Sequence, residues 1–364
     1  MDASALVYCE NEFGKIDGKV ANGLVRKSDK YKILGIIDST KAGHDAGEYL
    51  DGVRNGIPVF ATMDEALHNL GSAPRYFIYG IAPLASYIDE SQRAIILAAM
   101  ARHMSIVNGL PEFLSEDAEF ITAALEHGVD IHDIRKPPLR KHLHNFSGRI
   151  LDIETPVITV LGTDCAVGKR TTAVALVAAL QQEGINAAFI ATGQTGLLQG
   201  ARYGVAVDVL TSGFSTGEVE HAIMESHDND HPDIIIVEGQ GALSHPAFTS
   251  TAAILRGAVP DAIIIQHPPK RRNHCDFPDI PMPTLASEIE LVELFANSKV
   301  IAITLNHEDM SDDEVESTVL EYEIQYDLPV TDVLKGGCDK LVQKLYEVFP
   351  FLRNKVKLAC LHPE

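Results

Sequence analysis

Residues 157–172 read VITVLGTDCAVGKRTT. An apolar run ends at Gly162, a short loop follows, and Gly168-Lys169 opens a helical pattern (TTAVALVAALQQEG). Strand, glycine-containing turn and helix in that order are the context of a phosphate-binding loop, the alternative being a plain strand-to-helix turn with glycines for packing. Glycines let successive backbone N–H groups face one anion. The helix N-terminus adds a positive dipole end and the lysine a point charge. The loop has one residue more between its glycines than G-x-x-x-x-G-K-[ST]. Arg170 also stands where a Mg²⁺-binding hydroxyl belongs, with Thr171 one place late. An arginine there binds phosphate oxygens but ligates no metal. The expected phosphate ligands are Gly162, Thr163, Cys165, Ala166, Val167, Gly168, Lys169, Arg170 and Thr171.

Working outward, apolar runs recur at 155–162, 186–193, 233–239, 261–267 and 299–306, with helical patterns at 171–183, 217–227, 284–296 and 312–325. Near-continuous apolar strands are what a parallel sheet buried on both faces requires. Ligands on such sheets sit beyond the carboxyl ends of the strands. Besides the phosphate loop with Asp164, the residues there are Gln194 in TGQTGLLQG, then Glu238, Gln240 and His245 in EGQGALSHPAF. His267, Arg271 and Arg272 follow in QHPPKRRNHCDFP. Glu238 ends a buried strand, where an acid is costly without a task. Gln194 and Gln240 are equally able to satisfy loop backbone groups. His245 adjoins a proline, where a turn histidine is the simpler alternative to a catalytic one. The basic run at 270–272 in an acidic chain suits anion binding. His267, His274 and Cys275 lack zinc spacing, so no metal is expected.

The first half alternates strands (32–38, 56–61, 75–82) with helical patterns (63–70, 91–104, 116–128). That alternation predicts a second parallel sheet with helices on both faces. No G-x-G-x-x-G precedes Asp38, which therefore reads as a turn residue rather than a ribose ligand. The basic, proline-containing stretch 133–148 reads as a linker, placing domains at 1–149 and 150–364. A chain of 364 residues supports two cores, since one rarely grows past ~250–300 residues. A net charge of −21 disfavours nucleic acid and anionic membranes as partners. No apolar run approaches a membrane span. The first fifteen residues lack a basic-then-apolar signal pattern, and the five cysteines are scattered. These features set the expectation of a cytoplasmic enzyme with small-molecule substrates. The base rate for such enzymes adds a homo-oligomer.

Two resemblances follow. GTDCAVGKRT resembles the G-T-D-x-x-V-G-K-T loop of dethiobiotin synthetase and related P-loop ligases, and VEGQGAL their V-E-G-A-G-G segment. Over nearly the whole chain, NGLVRKSDKYKILGIIDSTKAG, GLPEFLSED, DIRKPP, GTDCAVGKRTT, ATGQTG, VEGQGALSHPAF and QHPPKRR resemble, in this order, the two-domain P-loop family that includes D-glutamate N-acetyltransferase. The resemblance implies an α/β chain of two three-layer α/β/α domains. The N-terminal one would be Rossmann-like, the C-terminal one P-loop NTPase-like with a mainly parallel sheet. It implies acetyl transfer from acetyl-CoA to the amino group of D-glutamate, or a similar acidic D-amino acid, in D-amino-acid catabolism.

Coenzyme A carries a pyrophosphate and a 3′-phosphate, which Lys169 and Arg170 suit without Mg²⁺. Acyl transfer to an amine needs a base, donors for the developing oxyanion, and cations for the substrate carboxylates. By position these are Glu238, with Asp164 as second choice; loop N–H groups or Gln240; and Arg271 with Arg272. The alternative is an ATP/Mg²⁺-dependent ligase or kinase, with Lys169 on the β/γ-phosphates and Asp164, Thr171 and Glu238 near the metal.

Overall fold

In a computed structural model that describes residues 3–83, 87–353 and 355, the first half of the chain builds a six-stranded parallel sheet. Its strands are β1 (Ser4–Tyr8), β2 (Lys32–Ile37), β3 (Val59–Phe60), β4 (Tyr76–Tyr79), β5 (Ser105–Asn108) and β6 (Ile131–Asp133). They lie in the order β3-β2-β1-β4-β5-β6, that of a dinucleotide-binding fold. Helices α1 (Lys19–Arg26), α2 (Ala46–Asp51), α3 (Met63–Leu70), α4 (Glu90–Met100) and α5 (Ala118–His127) connect them. Asp38, just past β2, accepts from Phe13 N at 3.0 Å, Thr40 N at 2.9 Å and Thr40 Oγ1 at 2.6 Å. Its carboxylate thus ties down the loop after β1, as a turn residue does.

The second sheet has seven strands in the order β15-β14-β11-β7-β10-β8-β9. They are β7 (Val157–Gly162), β8 (Ala187–Ala191), β9 (Tyr203–Gly204), β10 (Ile234–Glu238), β11 (Ala262–His267), β14 (Lys299–Leu305) and β15 (Val330–Thr331), all pairing in parallel. An antiparallel pair, β12 (Asn273–His274) and β13 (Phe277–Pro281), follows β11. The helices are α6 (Lys169–Gln182), α7 (Gln194–Gln199), α8 (Ser212–Asp230), α9 (Ser250–Ala258), α10 (Leu285–Ala296), α11 (Asp312–Tyr326) and α12 (Asp339–Val348). The three layers follow from strand alternation. Ile234 and Ile236 join the core formed with α6 and α12, whereas Ile235 and Val237 join the one formed with α8 and α9. Each strand is apolar on both faces because helices cover both.

Two details differ from the sequence-based boundary at 149/150. The compact units comprise Met1–Pro137 with Gln194–Ala201, and Pro138–Gly193 with Arg202–Glu364. The segment 192–200 is a loop only at its ends. Its α7 places Leu198 in the first unit's core, and Gln199 Nε2 donates to the carbonyls of Gly23 (2.7 Å) and Lys27 (2.8 Å). Stretch 138–149 packs on the second unit because two buried glutamates of α8 receive its backbone. Glu218 accepts from His144 N, and Glu220 from Ser147 N and Ile150 N.

Gly217 is the close-approach point of that packing. A Cβ there would lie 2.3 Å from His144 O and 2.4 Å from Asn145 C. Alanine gains about 1 kcal/mol of helix propensity over glycine. A clash with backbone atoms costs about 1–3 kcal/mol or more, and the backbone has no flexible end to move away. Gly217→Ala should therefore lower the thermal midpoint, as calorimetry would record. An unchanged or higher midpoint would mean that the stretch 138–149 contributes little.

Candidate active site

Loop 162–168 joins β7 to α6, and its shape follows from two left-handed residues, Ala166 (φ 50°) and Gly168 (φ 106°). A non-glycine residue in that region is uncommon and marks a built conformation. Gly168 caps α6 without a side-chain acceptor, so the first turn of the helix presents its N–H groups outward. The loop carbonyls are turned to side chains. Lys169 Nζ donates to Asp164 O, Arg271 Nη1 to Cys165 O (2.8 Å), Arg271 Nη2 to Ala166 O (3.5 Å) and Asn306 Nδ2 to Val167 O (2.9 Å). Lys169 is itself buried. Burial pushes its pKa down, against the opposing charges of Cys165, Asp164, Cys275 and Glu238.

Glu238 ends β10, the neighbour of β7, and is 4% exposed. Burial pushes its carboxyl up to about 7, while Arg170, the N–H groups of Thr192 and Gly193, and Lys169 pull it back. Thr192 N donates to Glu238 Oε2 at 3.1 Å. A carboxyl that titrates near neutrality beside a phosphate loop is suited to moving protons at physiological pH. Gln240 lies across Gly193, where a Cβ would come 2.4 Å from its Nε2. Its Nε2 donates to Thr192 Oγ1 at 3.3 Å; the amide has two N–H donors, so a second is available to a ligand.

Asp164 is fully buried and surrounded by donors. Oδ1 meets His274 Nδ1 at 2.7 Å; Oδ2 accepts from Cys275 N and Arg271 Nη1, both at 2.9 Å. Burial pushes its pKa up, but the bonds from His274, Cys275 N, Arg271 and Cys165 N together hold it below the ordinary value. His245 stacks on Phe248 (4.6 Å) and meets the His274 ring edge-on (4.7 Å). Burial and His274 lower its pKa, against Asp164 and Asp276. Although their sequence spacing shows no metal motif, the fold brings Asp164, His245 and His274 within 4.8 Å of one another, and likewise Cys165, His245 and Asp276. His245 Nδ1 accepts from Ala247 N (3.2 Å) and Phe248 N (3.3 Å), which places the ring proton on Nε2. Nε2 has no hydrogen-bond partner. It lies 3.7 Å from Asp164 Oδ1, beyond hydrogen-bonding distance.

Residues 144–342 match a family profile described as a domain of unknown function (DUF1611), P-loop domain. Residues 39–137 match its companion, a Rossmann-like N-terminal domain. The chain belongs to the DUF1611 family. Two curated relatives carry the name D-glutamate N-acetyltransferase. One, from Tritonibacter scottomollicae, is 29% identical over 297 residues, covering 79% of this chain and 85% of its own. The other, from a Pseudoalteromonas species, is 31% identical over 276 residues, covering 74% and 80%. The crystal structure of a DUF1611 protein from Anabaena variabilis matches with a TM-score of 0.86 at 28% identity. That match covers 95% of this chain and all of that one. Among the described residues no helix is long and apolar enough to cross a membrane.

In this DUF1611 protein the phosphate loop, Glu238, Gln240, His245, His267 and Arg271 all belong to the second unit. Two expectations need correction. Asp164 is no general base, because it is fully buried and its oxygens are engaged by donors. Arg271 does not clamp a substrate carboxylate. Its side chain is 6% exposed, and its guanidinium is committed to Asp164, two loop carbonyls and the Glu308 carboxylate. Burial, with Arg271 nearby, pushes the His267 pKa down to about 4, and its Nδ1 meets Thr163 Oγ1 at 2.9 Å. Gln194 opens α7. Arg272 is exposed, and among the described residues its guanidinium acts electrostatically on Tyr322 without a hydrogen bond or ion pair. Sequence reasoning passed over Asn306 and Glu308. The strand-end rule would have found both, since they follow β14 as the phosphate loop follows β7. Gln266 was missed too; its Oε1 accepts from Thr172 Oγ1 and Thr304 Oγ1 behind the loop.

Proposed function

We propose that this chain transfers the acetyl group of acetyl-CoA to the amino group of D-glutamate or a similar acidic D-amino acid. The observation that carries the reading is one unit holding both a phosphate loop with arginine at the metal-hydroxyl position and a buried carboxyl titrating near 7. The relatives' shared name supplies the donor–acceptor class. Lys169, Arg170 and the first-turn N–H groups of α6 bind the CoA phosphates. Glu238 takes the ammonium proton, and the freed amine attacks the thioester carbonyl. The second N–H of Gln240 serves the oxyanion. The N–C bond forms and the C–S bond breaks as the nitrogen gives up a second proton; of the two protons lost from nitrogen, one leaves on the CoA thiol and the other goes to solvent. Arg272 is the cation for a substrate carboxylate. Thr172, the next hydroxyl along α6 after Thr171, is turned to Gln266 and unavailable to a metal.

Free thiol should appear when the protein is mixed with acetyl-CoA and D-glutamate in EDTA without ATP, and much less with L-glutamate. No thiol release, with ATP hydrolysis once Mg²⁺ and an acidic metabolite are added, would replace this reading with the ligase one.

A further inference from the structure

The carbonyls of Asp164, Cys165, Ala166 and Val167 are four in succession, and each accepts from a side chain: Lys169, Arg271, Arg271 again and Asn306. Three of the four bonds come from outside the β7–α6 connection, out of the segments that follow β11 and β14. These two segments are tied together. Asn306 N donates to His267 O at 2.9 Å, Asn306 Oδ1 accepts from Glu308 N at 3.0 Å, and Glu308 pairs with Arg271. Asp164, inside the loop, is held by the same segments through Arg271, His274 and Cys275 N. A peptide whose carbonyl is fixed on one side turns its N–H to the other. Capping successive carbonyls from behind therefore presets the N–H groups as an anion-binding concavity. The guanidinium fork suits this because one group reaches two neighbouring carbonyls and a carboxylate at once, which an ammonium does not.

From this geometry we infer that Arg271 is a positioning residue of the phosphate loop, with Asn306 as its partner, holding the loop in its anion-binding shape before ligand arrives. The inference rests on the loop being a phosphate site, the premise of the proposed function, but not on which phosphate compound it takes.

The test is titration calorimetry with inorganic pyrophosphate and, separately, CoA. Arg271→Met should weaken both at least tenfold, Arg271→Lys should recover part of the loss, and Asn306→Ala should weaken both severalfold. In turnover, KM for the phosphate-bearing substrate should rise while kcat stays within about threefold. A role in folding alone would lower the thermal midpoint but leave the affinity of folded protein unchanged. Equal affinity in Arg271→Met, or a fall in kcat without a rise in KM, overturns the inference. Should Arg271→Met not fold, Asn306→Ala removes a loop cap without unpairing a charge and decides alone. Wild-type protein that binds pyrophosphate but not CoA removes the acetyl-CoA reading and leaves this one standing. Binding of neither overturns both.

Discussion

Glu238→Gln should lower kcat/KM for acetyl transfer by about 10²–10⁴-fold, the usual contribution of a positioned general base. In the proposed function this side chain handles the proton rather than the phosphates, so acetyl-CoA affinity should stay near wild type. The pH profile tells this loss from a general one. Burial holds the carboxyl up to about 7, so the wild-type rate should climb as pH passes through that value and level off above it. The variant's residual rate should lack that limb. Stability should move the other way. Between the ordinary carboxylate value of 4.5 and about 7 the folded protein keeps a proton that the unfolded chain has released, so stability falls as pH rises across that window. Above it the full cost of ionising a buried group is present, roughly 3 kcal/mol by linkage. An amide avoids that cost. At pH 8 the variant should therefore be slower yet higher-melting than wild type. Unchanged turnover would remove Glu238 as the base, and a lower melting point would point to lost packing.

Lys169→Met should abolish most phosphate affinity. A charge-assisted hydrogen bond is worth about 1.5–3 kcal/mol, or roughly 10- to 150-fold in Kd. The ammonium is buried and its pKa depressed by that burial, so wild-type affinity should fall on the alkaline side at a lower pH than an exposed lysine would give. An arriving phosphate favours the charged form, so binding near the top of that range should take up protons. Isothermal titration in buffers of differing ionisation enthalpy measures both effects. Affinity within threefold of wild type in the methionine variant would show that the loop does not hold its anion through Lys169.

The second sheet was legible in the sequence because its strands are buried on both faces. Runs such as DIIIVEG and DAIIIQH have no polar position to interrupt them, and each ends at a residue that matters. The first sheet was less so. Short strands such as SIVN at 105–108 and IHD at 131–133 carry no readable period, and their place in the sheet comes from neighbours distant in sequence. The helix at 194–199 could not be assigned to a unit from its residues. An apolar leucine fits either core, and only the folded chain places Leu198 in the first.

The candidate site divides the same way. The phosphate loop and the buried position of Glu238 are local facts, encoded by a strand, glycines and a helix start within twenty residues or by a run of isoleucines before an acid. What each polar group is free to do is not local. Asp164 and Arg271 are side chains of the right type for a base and a clamp, yet each spends its bonds on partners roughly forty to one hundred and ten positions away. Hydrogen-bonding groups saturate: a carboxylate already ringed by donors has little left for a substrate, and a guanidinium committed to an ion-pair network does not reach for another anion. Sequence determined the fold class and where chemistry could occur. Tertiary structure decided which of those groups remain available to perform it.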